Sequence, residues 1–116
     1  MGLARDLRNR RGTSIRKISV SEWADEDGQP FELYCRPITC YDLNELQRKH
    51  PTVLQAPTIA SMVDLIVMKA EGQDGEKLFN TGEDKMDLMG EETIVISEIA
   101  NQMFGTIESI EDLAKN

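Results

Sequence analysis

The sequence predicts an α+β fold in which an N-terminal β-hairpin packs on a small, mainly α-helical bundle. Two segments, residues 17–24 and 30–36, alternate apolar and polar side chains with the two-residue period of half-buried strands. Asp27-Gly28 lies between them and favours a tight hairpin turn, because glycine accepts a positive φ angle. After residue 37 the apolar residues recur every three or four positions, which is typical of helices that share a core.

The chain divides into a basic arm and one acidic domain. Its 116 residues are enough for one hydrophobic core and too few for two. Residues 1–16 show no sustained hydrophobic period and are predicted to form a flexible arm before a single domain over residues 17–116. The first 17 residues contain six bases and one acid, a net charge of +5, and the remainder carries −13. Because so acidic a domain is repelled by phosphates and anionic membranes, neither is expected as the main partner.

Two helices are predicted to follow the hairpin. Pro37 ends the second strand, and Thr39 can cap a helix over residues 39–50. Thr58 is the next candidate cap, for a helix over residues 58–71 that is apolar nearly all round and should be central and buried. The polar residues that share one side of this helix are Ser61, Asp64 and Glu71.

Three more helices are predicted over residues 82–89, 91–105 and 109–115. Gly90 and Gly105 are expected to end the first two, because glycine readily adopts the backbone conformation that closes a helix. The apolar positions on the inward faces of all these elements form the predicted core. They are Ile18, Val20, Leu33, Leu43, Leu46, Val63, Ile66, Val67, Val95, Ile99 and Met103.

No pattern of an enzyme or a metal site is found. Cys35, Cys40 and His50 could supply three zinc ligands, but the C-x2-C spacing is missing and a structural zinc site needs four ligands. Cys35, on the inward face of its strand, is interpreted as a small core residue. With a single histidine and no nucleophile-elbow sequence, we expect a non-enzymatic protein without catalytic residues, bound metal or cofactor.

The targeting signals of secreted and membrane proteins are not evident. The N-terminus is charged but lacks the apolar region of a secretory signal. The most apolar stretch, residues 59–70, is interrupted by polar residues and is too short to span a bilayer. A soluble protein of a reducing cytoplasm is therefore expected.

Met86, Met89 and Ile94 admit two interpretations. Met86 and Met89 lie three apart on a predicted short helix, and Ile94 projects opposite the apolar face of its own helix. Methionine often fills gaps in a core, so all three side chains could be packing residues. Alternatively they form an adaptable binding surface, because flexible thioether side chains fit irregular hydrophobic partners.

Several stretches resemble a known family in the same order along the chain. Residues 21–24 (SEWA) are similar to its Pro-Glu-Trp-Gly element, and residues 31–39 (FELYCRPIT) resemble its VYVRPLTGRE stretch. Residues 71–79 (EGQDGEKLF) resemble Asp-Glu-Asp-Gly-x-x-Leu-Phe. Residues 83–90 are similar to an acidic helix that ends in Leu-Gly, and residues 109–116 to a Glu-rich terminal helix. The family is the tail assembly chaperones of long-tailed (siphovirus-type) phages and prophages.

The resemblance implies a non-enzymatic chaperone in the cytoplasm of a host bacterium. Such a protein would bind the tape-measure protein and tail-tube subunits during tail formation and be absent from the mature virion. A chaperone of this kind is also expected to self-associate weakly and to bind its client through Met86, Met89 and Ile94. A different hypothesis fits the same charge profile, namely a small acidic adaptor or antitoxin-like protein that binds a basic partner.

Overall fold

The computed structural model describes the backbone of residues 2–11 and 15–115 and the side chains of residues 2–10 and 15–104. It confirms the α+β class, because an antiparallel sheet that begins with an N-terminal hairpin packs on helices. The strands are β1 (Arg16–Val20), β2 (Phe31–Cys35) and β3 (Ala70–Glu71), in the spatial order β1-β2-β3. The helices are α1 (Leu3–Arg11), α2 (Cys40–Lys49), α3 (Ile59–Lys69), α4 (Glu83–Met89) and α5 (Thr93–Lys115).

The alternation predicted for the hairpin is observed at Ile18, Val20, Leu33 and Cys35, which are buried, whereas Phe31 is exposed. Ile18 of β1 lies opposite Leu33 of β2, and both are fully buried. The first strand is shorter than predicted, because residues 21–23 form a turn of 3-10 helix. The Asp25 carboxylate then accepts hydrogen bonds from the backbone N–H groups of residues 27 and 29, each at 2.9 Å. Gly28 closes this loop with a φ of 78°, as expected for the Asp-Gly pair.

The third strand was not predicted, and it corrects the end of the central helix. The helix predicted over residues 58–71 ends at Lys69, and Ala70 takes an extended conformation. Ala70 and Glu71 pair with β2, opposite Cys35 and Tyr34 respectively. In the extended conformation these two residues form backbone hydrogen bonds with β2, which they could not form if the helix continued through them.

Helix α3 is central, as predicted, and packs against α2, α4 and α5. Thr58 and Ser61 form a capping box at its start, and Thr39 and Asp42 form another at the start of α2. Ser61, one of the three polar residues predicted to share one side of this helix, does not face solvent. Its side chain is fully buried, and its hydroxyl is satisfied there because it donates to the Thr58 carbonyl at 2.7 Å and completes the cap.

The secondary structure at both ends of the chain differs from the prediction. A single helix, α5, runs from Thr93 to Lys115, so the predicted stop at Gly105 and the separate helix over residues 109–115 are wrong. A glycine inside a helix costs only about 1 kcal/mol, which the continuing backbone hydrogen bonds can offset. Within the predicted arm, α1 forms a helix whose Leu3 and Leu7 are exposed. Asn116 lies outside the described residues.

The core agrees with the prediction in all but one position. Ten of the eleven predicted residues are buried, and Leu43 is half-buried at the edge of the core. The Cys35 side chain is buried in the sheet, in agreement with its interpretation as a small core residue. Further buried residues that complete the core include Val53, Leu65, Leu88, Ile96, Ala100 and Phe104. Over the described ranges, every helix is too short or too polar to cross a membrane.

Candidate partner-binding surface

Met86, Met89 and Ile94 lie on the surface where α4 is followed by α5, a region we call the α4–α5 corner. Their side chains are 75%, 47% and 57% exposed. Their neighbours Leu88 and Val95 are buried, so each helix presents one apolar face to the core and further apolar residues to solvent. The interpretation of the three residues as core packing is therefore wrong. Large exposed apolar side chains that lie near one another in a chain are typical of interaction surfaces.

Local sequence fixes the path of the chain at this corner. Gly82 precedes α4 with a φ of 95°, a conformation that other residues rarely adopt. The Asp84 carboxylate accepts the backbone N–H of Asn80 at 2.7 Å and holds the preceding loop against the helix. At the other end, the N–H of Gly90 bonds to the carbonyls of Met86 and Asp87. Since both ends are hydrogen-bonded, Met86 and Met89 are held on the same face of a defined helix.

The corner is strongly acidic. Residues 78–104 contain six acids and one base, a net charge of −5. Glu83, Asp87 and Glu92 are exposed. The single base, Lys85, pairs with Asp64 of α3 at 2.7 Å. We call Met86, Met89 and Ile94 the apolar centre of the corner, and the exposed acids Glu83, Asp87 and Glu92 its acidic rim. Protein-binding surfaces usually combine apolar residues with polar ones around them.

Asp64 ties the corner to the interior. Its side chain is only 10% exposed, and its two oxygens contact Nε2 of His50 at 2.6 Å and Nζ of Lys85 at 2.7 Å. His50 follows the end of α2, and Lys85 lies on α4, so one carboxylate joins three helices. Burial alone would raise the pKa of Asp64, but the hydrogen bonds from His50 and Lys85 outweigh it and lower the pKa below its usual value.

Sequence reasoning missed this cluster. From the sequence, His50 was considered as a possible zinc ligand, and Asp64 was placed with the polar residues on one side of the central helix. The three residues lie on different elements, so no local spacing reveals their contact. The one signal available was the carboxylate of Asp64 on the predominantly apolar helix α3, since such a group is buried only when it is paired.

Lys69 and Asp42 form another ion pair, at the C-terminal end of α3. Lys69 is 8% exposed, and its Nζ lies 2.7 Å from Asp42 and 3.3 Å from the Pro37 carbonyl. Asp42 also accepts the backbone N–H of Thr39 in the capping box, at 3.0 Å. Partial burial would raise the pKa of Asp42, but the hydrogen bonds from Lys69 and Thr39 lower it overall. These groups are satisfied by one another and stabilise the join between β2, α2 and α3.

Trp23 connects the hairpin to the corner. Its indole N–H donates to the Glu91 carboxylate at 2.9 Å, in the short connection between α4 and α5. The ring lies edge-on to Phe31 at 6.1 Å and to Phe79 at 6.2 Å. The backbone N–H of Glu92 and the Trp23 indole both donate to Glu91 and lower the pKa of its carboxyl group. The corner is thus braced from the interior by Asp64 and from the hairpin by Trp23.

The candidate zinc ligands are engaged differently from one another. Cys35 is buried, and that burial raises the pKa of its thiol, whereas Cys40 is exposed at the start of α2. His50 is bonded to Asp64. Within the part of the chain that the structure describes, no group of three or more His, Cys, Asp or Glu side chains is placed to hold a metal ion.

Comparison with known proteins finds no match: no protein-family model, no curated protein and no solved structure is similar to this chain.

Proposed function

We propose that this chain is a non-enzymatic tail assembly chaperone of a long-tailed phage or prophage. It would bind the tape-measure protein and tail-tube subunits in the host cytoplasm and be absent from the finished virion. The observation that carries the proposal is the exposure of Met86, Met89 and Ile94. Two of these residues lie in the segment, residues 83–90, that resembles the acidic helix of that family.

The corner suits a client that must be bound and later released. Full burial of a methionine or isoleucine side chain contributes about 1.5–3 kcal/mol, and these three are already partly covered. The total gain is modest once the cost of association is subtracted, so binding should be weak and reversible. Methionine side chains also adapt to apolar surfaces of irregular shape, which a long helical client presents along its length.

The titratable residues support a binding role rather than catalysis. His50, which would be the natural general base, is bonded to Asp64 inside a structural ion cluster. Lys69 and Asp42 are likewise used to join helices. These contacts explain the positions of the buried charged groups without assigning them to a reaction.

Co-expression with a tape-measure fragment tests the proposal. The wild-type chain should raise the soluble fraction of the fragment and co-purify with it. The double variant Met86→Asp/Ile94→Asp should retain its circular dichroism spectrum and thermal midpoint but lose solubilisation, because it places charges in the apolar centre. Tyr41→Asp is the matched control, since Tyr41 is 89% exposed and lies on α2. Solubilisation by the double variant equal to that by wild type would contradict the proposal.

The adaptor hypothesis gives a different result in the same assay. An acidic adaptor or antitoxin would bind a small basic protein tightly through charge and would not need the apolar centre. In that case Met86→Asp/Ile94→Asp should bind the partner as well as wild type does. Charge reversal at Glu83, Asp87 and Glu92 should abolish binding.

A further inference from the structure

We propose that helix α1 of one copy of this chain docks on the α4–α5 corner of a second copy. The contact would be heterologous, because the surface that docks differs from the surface that receives it. Both surfaces are exposed in the single chain and are complementary in apolar character and in charge.

The docking element is a short basic helix with an apolar edge. Leu3 and Leu7 lie four residues apart, which places them on the same face of α1, and they are 69% and 50% exposed. Nine residues of helix span about 13 Å, enough to cover a patch of two or three side chains. The remainder of α1 is polar and predominantly basic, with four arginines and one aspartate.

The receiving surface has the opposite charge. Helix α1 carries +3, from four arginines and one aspartate, and residues 78–104 carry −5. Leu3 and Leu7 would cover the apolar centre formed by Met86, Met89 and Ile94, while arginines of α1 would face the acidic rim. The attraction between these two oppositely charged surfaces opposes the repulsion between two chains of net charge −8.

Within one chain α1 does not dock on the corner, so the proposed contact joins two copies. Met86 is 75% exposed and Leu3 is 69% exposed in the same molecule, so α1 does not bury the corner of its own chain. A helix of this length buries less area than a standard protein–protein interface, so the association should be weak and visible only at high protein concentration.

If the proposed chaperone function holds, the contact also regulates it. Helix α1 would occupy the surface that binds the client, and the client would displace it by mass action. At high protein concentration, part of the free chaperone would then have its apolar corner covered until a client is available. This last step depends on the proposed function, whereas the docking itself does not.

A mixing experiment tests the docking without any client. Leu3→Asp/Leu7→Asp removes the docking face and leaves the corner intact, and Met86→Asp/Ile94→Asp removes the corner and leaves α1 intact. Sedimentation velocity of the full chain at increasing concentration should show association for wild type and a monomer for each double variant. The two variants mixed in equal amounts should form a dimer, since one supplies the helix and the other the corner.

Salt and charge reversal provide the independent check. Wild-type association should weaken at least about tenfold between about 0.05 M and about 0.5 M NaCl, because exposed charges are screened. Arg8→Glu/Arg10→Glu should abolish association, and adding Glu83→Lys/Glu92→Lys to the same chain should restore it. Tyr41→Asp should associate like wild type. Failure of the mixed variants to form a dimer, or a monomeric wild type at every concentration, would overturn the proposal, whether or not the chain solubilises a client.

Discussion

Helices α3 and α4 contain four of the six methionines of the chain and use them in opposite ways. On α3, Met62 and Met68 pack against the core, and most neighbouring positions are buried. On α4, only Leu88 is buried, and Met86 and Met89 face solvent. The side chain is the same in both helices, so composition does not decide its role. The two helices differ in the number of elements that pack around them, since α3 is enclosed by α2, α4 and α5.

The largest effect that separates the two helices should be seen in stability. Ile66→Ala on α3 removes a fully buried side chain and should lower the free energy of unfolding by about 2–5 kcal/mol. Met86→Ala on α4 should change it by less than about 0.5 kcal/mol, because the side chain is already in water. Urea denaturation of both variants measures the difference. Equal losses would show that Met86 is part of the core.

The contact between the helices through Asp64 should give the next largest effect. Asp64→Asn should cost about 1–3 kcal/mol at neutral pH, because a nearly buried carboxylate loses its charged hydrogen bonds to His50 and Lys85. Asp87→Asn, at an exposed position of α4, is the control and should be neutral. A neutral Asp64→Asn would mean that the cluster does not hold α4 in place.

The same carboxylate gives a pH dependence with a definite sign. The pKa of Asp64 is lower in the folded chain than its unfolded value of about 3.9, so the ionised group stabilises the fold above that pH. Stability should therefore fall as the pH drops below about 4 and the folded carboxylate becomes protonated. In Asp64→Asn the fall should be smaller, with the remainder arising partly from Asp42, whose pKa is lowered as well. Thermal midpoints measured from about pH 5 to about pH 2 test this. Identical curves for the variant and wild type would contradict the assignment.

A smaller effect is expected where the hairpin contacts the corner. Trp23→Phe keeps an aromatic ring between Phe31 and Phe79 but removes the hydrogen bond to Glu91. The loss of stability should be smaller than for Asp64→Asn, because Glu91 is only half-buried and can bond to water instead. Chemical denaturation followed by circular dichroism measures it. A loss larger than that of Asp64→Asn would make the hairpin, rather than α3, the main support of the corner.

Short-range sequence signals predicted much of the fold. They failed for elements whose structure depends on contacts between residues that are distant along the chain. Thr39 and Thr58 marked helix starts, because capping uses residues within one turn of each other. The strand at Ala70 and Glu71 was missed, since two residues become a strand only through pairing with β2. Gly105 was interpreted as a stop, but glycine ends a helix only when the following chain turns away, and α5 continues.

The candidate site was predicted in part for the same reason. The sequence placed Met86, Met89 and Ile94 together, but methionine suits both a core and a surface, so exposure could be read only from the structure. The cluster of His50, Asp64 and Lys85 depends on three helices meeting, which no spacing along the chain indicates.

The smallest effect on stability is expected in α5, the helix that was predicted as two separate helices. Gly105→Ala should stabilise α5 by up to about 1 kcal/mol, because alanine has the higher helix propensity. Helical content from circular dichroism and the urea midpoint should both rise slightly. A destabilised variant would indicate that residue 105 needs glycine and that the chain bends there.

Methyl NMR of the six methionines tests the central claim, that the α4–α5 corner is the binding surface. The full chain, labelled at the methionine methyl groups, is titrated with a soluble tape-measure fragment. The signals of Met86 and Met89 should shift or broaden progressively, while that of Met103, which is 2% exposed in the core, should stay in place. Shifts that spare Met86 and Met89 while the fragment binds would contradict the account and place the client elsewhere on the protein.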